Sequence, residues 1–208
     1  MSPGAVVLCG GASRRMGCAK AWLPFGDERM LQRVVRLAGT VARPIVVVAA
    51  EGQELPPLSA DVTVVRDPVA GRGPLQGLAA GLSAFADSIE LVYATATDVP
   101  FLEPRWIGRL VELSDGHDLV IPCVGGYHHP LAALYRRSAV LPVVNDLLRE
   151  NRLRLAELVG AVNTREVEER DLCCVDSELL TLRNLNSPHD YEQALRDAGF
   201  TTSGDTLR

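Results

Sequence analysis

Four short, mostly apolar runs punctuate the first half of the chain, at 5–9, 45–50, 62–66 and 91–95. Runs with so few polar interruptions suit strands covered on both faces, as in a parallel sheet. Between them Met30, Leu31, Val34, Val35 and Ala38 recur at helical spacing, and 75–85 forms a second, alanine-rich helical stretch. Pro104 opens a third predicted helix that runs to about Leu113, proline being suited to a first turn. This β-α-β-α-β alternation predicts an α/β fold, a Rossmann-like three-layer α/β/α sandwich with a mostly parallel sheet and right-handed crossovers. Ligands of such sheets bind beyond the carboxyl ends of the strands. The segments after 5–9, 62–66 and 91–95 therefore share one edge.

The second half is less regular. Residues 119–122 and 129–135 read as strands around a turn at Gly125-Gly126, and 140–148 and 153–159 as helices, with Pro142 near the start of the first. A last helix starts clearly, with Ser187 as N-cap, Pro188 in the first position, Asp190 in the third, and Tyr191, Ala194 and Leu195 on its apolar side. The stretch 51–60, with Pro56-Pro57, reads as a surface loop. No repeat or linker divides the chain, so 1–200 is expected to form a single domain and polar 201–208 to fray.

A chain of 208 residues is long enough for such a core. Its net charge of −5 argues against non-specific nucleic-acid or anionic-membrane partners. The opening Met1-Ser2-Pro3-Gly4 lacks the basic region of a signal peptide, and no uncharged apolar stretch approaches the ~20 residues of a membrane span. A cytoplasmic location is expected. The five cysteines, Cys9, Cys18, Cys123, Cys173 and Cys174, include no C-x-x-C pair and read as reduced thiols rather than a zinc site or a disulfide framework.

The densest chemistry follows the first run: Leu8-Cys9-Gly10-Gly11-Ala12-Ser13-Arg14-Arg15-Met16-Gly17-Cys18-Ala19-Lys20. Gly10 and Gly11 allow a ligand to approach bare main-chain N–H groups, and Arg14, Arg15 and Lys20 supply charged donors for phosphate oxygens. The spacing is neither a Walker A loop nor G-x-G-x-x-G, and a glycine pair by itself reads equally well as a turn. Asp98 closes the fourth run and precedes Val99-Pro100. It reads either as a turn residue or as a carboxylate for a hard cation such as Mg²⁺. Asp67, before Pro68, carries the same ambiguity. Gly71, Gly73 and Gly77 around Pro74 form a loop entering a helix, whose N-terminus adds partial positive charge. Adjacent residues of a strand point to opposite faces, so His128 and His129 are not expected to share a metal. Asn184 and Asn186 read equally as turn formers.

Together these blocks carry a resemblance. Gly-Gly-x-Ser-x-Arg-Met-Gly-x-x-Lys-x-x-Leu-Pro, Arg66-Asp67, Gly73-Pro74-Leu75-Gln76-Gly77-Leu78, Thr97-Asp98-Val99-Pro100-Phe101, His129-Pro130-Leu131 and Asn184-x-Asn186-Ser187-Pro188 occur in the order found in MobA-type nucleotidyltransferases, the molybdenum cofactor guanylyltransferases. The resemblance implies the nucleotide-diphospho-sugar transferase-like variant of the fold, GTP and molybdopterin as substrates, and Mg²⁺ held by Asp98. It implies catalytic roles for Arg15, Lys20 and Asp98, and nucleotide contacts from Leu8, Gly10, Gly11, Lys20, Asp67, Gly73, Gly77 and Asp98. His129, Asn184 and Asn186 would lie on the acceptor side. A transient contact with proteins that deliver the cofactor also follows. Relatives that use CTP typically carry Ala-Gly in place of Gly10-Gly11 and lack the Gly-Pro-Leu-x-Gly block. Two residues depart from the pattern: Ala19 stands where aspartate is usual and Cys9 where alanine is usual. A CTP- or sugar-phosphate-type transferase, or a non-catalytic nucleotide-binding partner, are the alternative readings.

Overall fold

Each of the four apolar runs becomes a strand of one sheet. The computed structural model describes residues 2–10, 19–67, 69 and 71–200. In chain order the elements are β1 (Gly4–Leu8), β2 (Pro24–Phe25), β3 (Glu28–Arg29), α1 (Met30–Ala38), β4 (Ile45–Ala50), β5 (Val62–Asp67), α2 (Gly73–Ser83), β6 (Leu91–Ala96), α3 (Pro104–Glu112), β7 (Leu119–Val124), β8 (Tyr127–His128), β9 (Ala133–Arg136), α4 (Arg137–Arg149), β10 (Thr164–Glu168), α5 (Glu169–Leu172) and α6 (Pro188–Asp197). The main sheet has eight strands in the order β10-β7-β9-β6-β1-β4-β5, with β8 paired to β7. Pairings along β1, β4, β5 and β6 are parallel, β10 is parallel to β7, and β9 runs antiparallel to both β6 and β7. Six strands therefore end at one carboxyl edge.

Alternation along β1 sorts the core into two layers. Ala5 and Val7 pack with Leu31, Val34 and Trp106 of α1 and α3, whereas Val6 and Leu8 pack with Leu75, Leu78, Val144 and Leu147 of α2 and α4. Helix α2 lies flush on β1 because two positions carry no side chain. A Cβ on Gly81 would stand 2.7 Å from Val6 Cγ1, and one on Gly77 would stand 3.3 Å from Leu8 Cδ2. A third cluster joins Tyr191, Ala194 and Leu195 of α6 to Leu23, Phe25, Met30 and Leu185. This seats the last helix beside the β2–β3 hairpin, close to Lys20 in sequence. Among the described residues no helix is long and apolar enough to cross a membrane.

The second half departs from the sequence reading in several places. The strand expected over 129–135 starts only at Ala133, because Pro130–Ala132 forms a 3₁₀ turn with His129 at its head. The helix expected over 153–159 is a 3₁₀ turn at Leu155–Leu158. Helix α4 begins three residues earlier than expected, so Pro142 falls inside it, where burial of Val140, Val144, Leu147 and Leu148 outweighs the lost hydrogen bond. Strand β10 was not anticipated. It is an edge strand with one buried residue, Val167, and its sequence Thr-Arg-Glu-Val-Glu carries no apolar run. The tail 201–208, expected to fray, lies outside the described residues.

Candidate active site

Strand β1 lies between β4 and β6, so crossovers leave it in both directions and open a crevice at its carboxyl end. The chain leaves that crevice through Leu8, Cys9 and Gly10, and this exit is fixed from both sides. Cys9 N–H donates to Val48 O at 2.7 Å, and Gln53 Nε2 donates to Cys9 O at 3.0 Å. On the other flank Thr97 donates to Leu8 O through its N–H at 3.1 Å and its Oγ1 at 3.2 Å. Burial pushes the Cys9 thiol pKa up, which keeps it protonated and unreactive. Gly11 and Arg15, with the rest of 11–18, lie outside the described residues.

The chain continues at Ala19, the N-cap position of a 3₁₀ turn, Lys20–Trp22. Ala19 has the extended backbone of a cap residue but no oxygen to accept from the turn. The aspartate usual here could supply that cap. Lys20 itself points across the crevice. Its Nζ lies 2.7 Å from Asp98 Oδ2 and donates to Asn186 Oδ1 at 3.3 Å.

Three remote segments thus converge, and the backbone explains how. Asp98 sits just past β6, the neighbour of β1. Its carbonyl accepts from Leu185 N–H at 3.0 Å, which carries the 184–186 segment onto the crevice. The start of α6 then fixes Asn186: Asp190 Oδ2 accepts from Asn186 N–H and Ser187 N–H at 3.0 and 2.9 Å, while Asp190 N–H donates to Ser187 Oγ at 3.1 Å. This is the capping box that the sequence signalled. Asp98 Oδ1 is buried without a hydrogen-bond partner among the described residues. A buried acceptor left unpaired costs roughly 1–3 kcal/mol, so this oxygen calls for a cation or donor.

The other expected residues flank this centre. Asp67 ends β5, three strand spacings from β6, or about 14 Å, and cannot share an ion with Asp98. One of its oxygens already accepts from Val69 N–H at 3.0 Å, as the turn reading requires. Gly73 adopts a φ of +74°, where any side chain would be strained, at the N-terminus of α2. Gly77 is needed for packing under Leu8. His129 lies on the opposite flank, half-buried, its N–H donating to Pro122 O at 3.0 Å. Burial, with a smaller contribution from neighbouring His128, lowers its pKa and keeps the ring neutral at pH 7. Asn184 is exposed and makes no side-chain hydrogen bond to a described residue. The structure therefore brings Lys20, Asp98 and Asn186 together and leaves the other described candidates around them. Sequence reading missed Gln53, inside a stretch taken as a plain surface loop, and the clamp made by Thr97.

A family profile described as a MobA-like NTP transferase domain matches residues 5–162, well over half of the chain. The chain belongs to this family. A probable molybdenum cofactor guanylyltransferase of Mycobacterium marinum is 34% identical over 196 residues, covering 92% of each protein. Another from Pelotomaculum thermopropionicum is 32% identical, covering 91% of this chain and 90% of the relative. Among solved structures, molybdopterin-guanine dinucleotide biosynthesis protein A from Archaeoglobus fulgidus superposes with a TM-score of 0.78 at 22% identity, covering 94% of this chain and 98% of that one. A 2-C-methyl-D-erythritol 4-phosphate cytidylyltransferase from Thermus thermophilus has the same fold, with a TM-score of 0.72 at 17% identity and 96% and 100% coverage. This MobA-like chain is accordingly a nucleotidyltransferase with the nucleotide-diphospho-sugar transferase fold.

Proposed function

We propose that the protein transfers GMP from GTP to the terminal phosphate of molybdopterin and releases pyrophosphate. The observation that carries this reading is the meeting of Lys20, Asp98 and Asn186 at the carboxyl end of β1, with one carboxylate oxygen of Asp98 buried and unpaired among the described residues. A buried carboxylate oxygen with no described partner, beside a lysine suited to phosphate, fits Mg²⁺, which takes one or two carboxylates together with substrate phosphates. When bound there, Mg²⁺ supplies neutralisation of charge on the triphosphate.

The remaining steps fall to the chain's own groups. The main chain at Gly10 and Gly11 holds the nucleotide, with Asp67 and the N-terminus of α2 at Gly73 bordering it on the β5 side. Lys20 leaves its ion pair with Asp98 for the triphosphate oxygens, and Arg15 adds a second cation. An acceptor phosphate oxygen attacks the α-phosphorus, a new P–O bond forms, and the bond to the β-phosphate bridging oxygen breaks. The attacking phosphate is already ionised, so no side chain need remove a proton; alignment and charge neutralisation do the work. His129, neutral and half-buried, and Asn186 border the acceptor side. Support for GTP over CTP comes from Gly10-Gly11, the Gly73–Gly77 block and the names of the relatives at 32–34% identity.

Pyrophosphate release measured with each of the four nucleoside triphosphates, with and without molybdopterin, tests this assignment. Release is expected with GTP and acceptor only. Release with CTP in preference to GTP would assign the chain to the cytidylyl-transferring relatives, and none with any nucleotide would favour a binding role without turnover.

A further inference from the structure

Strands β7, β8 and β10 carry a second cluster of ligand-type side chains, away from Asp98. Cys123 pairs with His128 across the antiparallel β7–β8 hairpin, so the two side chains share a face. The turn between the strands is Gly125-Gly126 with φ of +57° and +81°, the left-handed geometry that makes a tight hairpin and fixes its register. Glu166 of β10 lies opposite Ile121 of β7, two residues before Cys123 and thus on that same face. One ligand atom from each of Cys123, His128 and Glu166 lies within 4.8 Å of the others.

The contacts inside the cluster are unfinished. His128 Nε2 is shut off from solvent and lies 3.1 Å from Glu166 Oε1, yet it makes no hydrogen bond to a described residue. Cys123 is a free, half-buried cysteine. Thiolate, imidazole and carboxylate together suit a borderline divalent cation rather than Mg²⁺ or Ca²⁺, which prefer all-oxygen sites.

We propose that Cys123, His128 and Glu166 form a metal site for Zn²⁺ or a cation of that class, separate from the Mg²⁺ position at Asp98. β9 intervenes between β7 and β6, so the two sites stand about 10 Å apart along the carboxyl edge. Three protein ligands leave a fourth position for water or an external donor. One ion would also cross-link three strands, including edge strand β10, which pairs with β7 alone among the described strands. The Arg-Glu-Val-Glu character of β10, which hid the strand from the sequence reading, then has a purpose at Glu166.

Cobalt serves as the probe because thiolate-to-Co²⁺ charge transfer gives a near-ultraviolet band that reports sulfur ligation. The reduced full-length protein is titrated with Co²⁺ in the presence of excess Mg²⁺. The band should saturate at one equivalent and disappear when Zn²⁺ is added. It should be lost in Cys123→Ser and retained in a Cys173→Ser/Cys174→Ser variant. His128→Ala and Glu166→Gln should each weaken Co²⁺ binding on the order of tenfold or more. Glu166 is exposed, so Glu166→Gln keeps its fold and decides the matter if Cys123→Ser does not fold. No band in the wild type, a band that survives in folded Cys123→Ser, or unchanged affinity in both His128→Ala and Glu166→Gln would overturn the site.

Discussion

Lys20→Ala is expected to lower kcat/KM on the order of 10²-fold or more while the melting temperature moves by only a few degrees. The Lys20 side chain hydrogen-bonds the side chains of both Asp98 and Asn186. In the proposed reaction its ammonium is the group that meets the triphosphate charge. Removing one preorganised charge contact from such a site costs about 3 kcal/mol in the transition state. The stability cost is smaller, because Lys20 itself belongs to neither main core cluster and its short 3₁₀ turn is anchored instead by the buried side chain of Ala21. Lys20→Arg should not rescue turnover, since a planar guanidinium cannot place a point charge between Asp98 and Asn186. Steady-state kinetics and thermal unfolding on the same preparations separate the two effects. Equal turnover in wild type and Lys20→Ala would reduce the Lys20–Asp98 pair to a surface ion pair.

Asp98→Asn should remove metal-dependent turnover, with a loss on the order of 10³-fold at saturating Mg²⁺. Asparagine preserves size and can still accept from Lys20, and Leu185 N–H bonds to the backbone carbonyl of residue 98, which the substitution leaves in place. The fold and the position of the 184–186 segment are therefore kept. What disappears is the negative charge of the carboxylate whose buried oxygen has no described partner. A Mg²⁺ titration of turnover for both proteins reads this directly. A variant with the same maximal rate and the same Mg²⁺ dependence as wild type would leave Asp98 a turn residue before Pro100.

The sequence announces strands and helices where apolar residues repeat, and it is silent where geometry comes from pairing. β1, β4, β5 and β6 are apolar enough to be read directly, and their order along the chain already places Leu8, Asp67 and Asp98 at one edge. The start of α6 is legible because Ser187, Pro188 and Asp190 form a local motif whose partners lie within four residues. Strand β10 is not legible, since it depends on β7 for its hydrogen bonds and buries only Val167. The Lys20–Asp98–Asn186 meeting is equally hidden. The three residues stand out singly by motif, but nothing local links positions separated by 78 and 166 residues. The link is made by a backbone bond, Leu185 N–H to Asp98 O, and by the apolar seat of α6 against Phe25 and Met30. Gly77 illustrates a different gap: its place in a family motif suggests a nucleotide contact, while the structure gives it a packing reason against Leu8.

The most direct test follows the α-phosphate. The protein is incubated with Mg²⁺, molybdopterin and GTP labelled on its α-phosphorus, and the products are separated. Label is expected in a guanine dinucleotide form of the acceptor, with one unlabelled pyrophosphate released for each labelled product. Label that stays with GTP, or transfer seen only from CTP labelled in the same position, would contradict guanylyl transfer by this site.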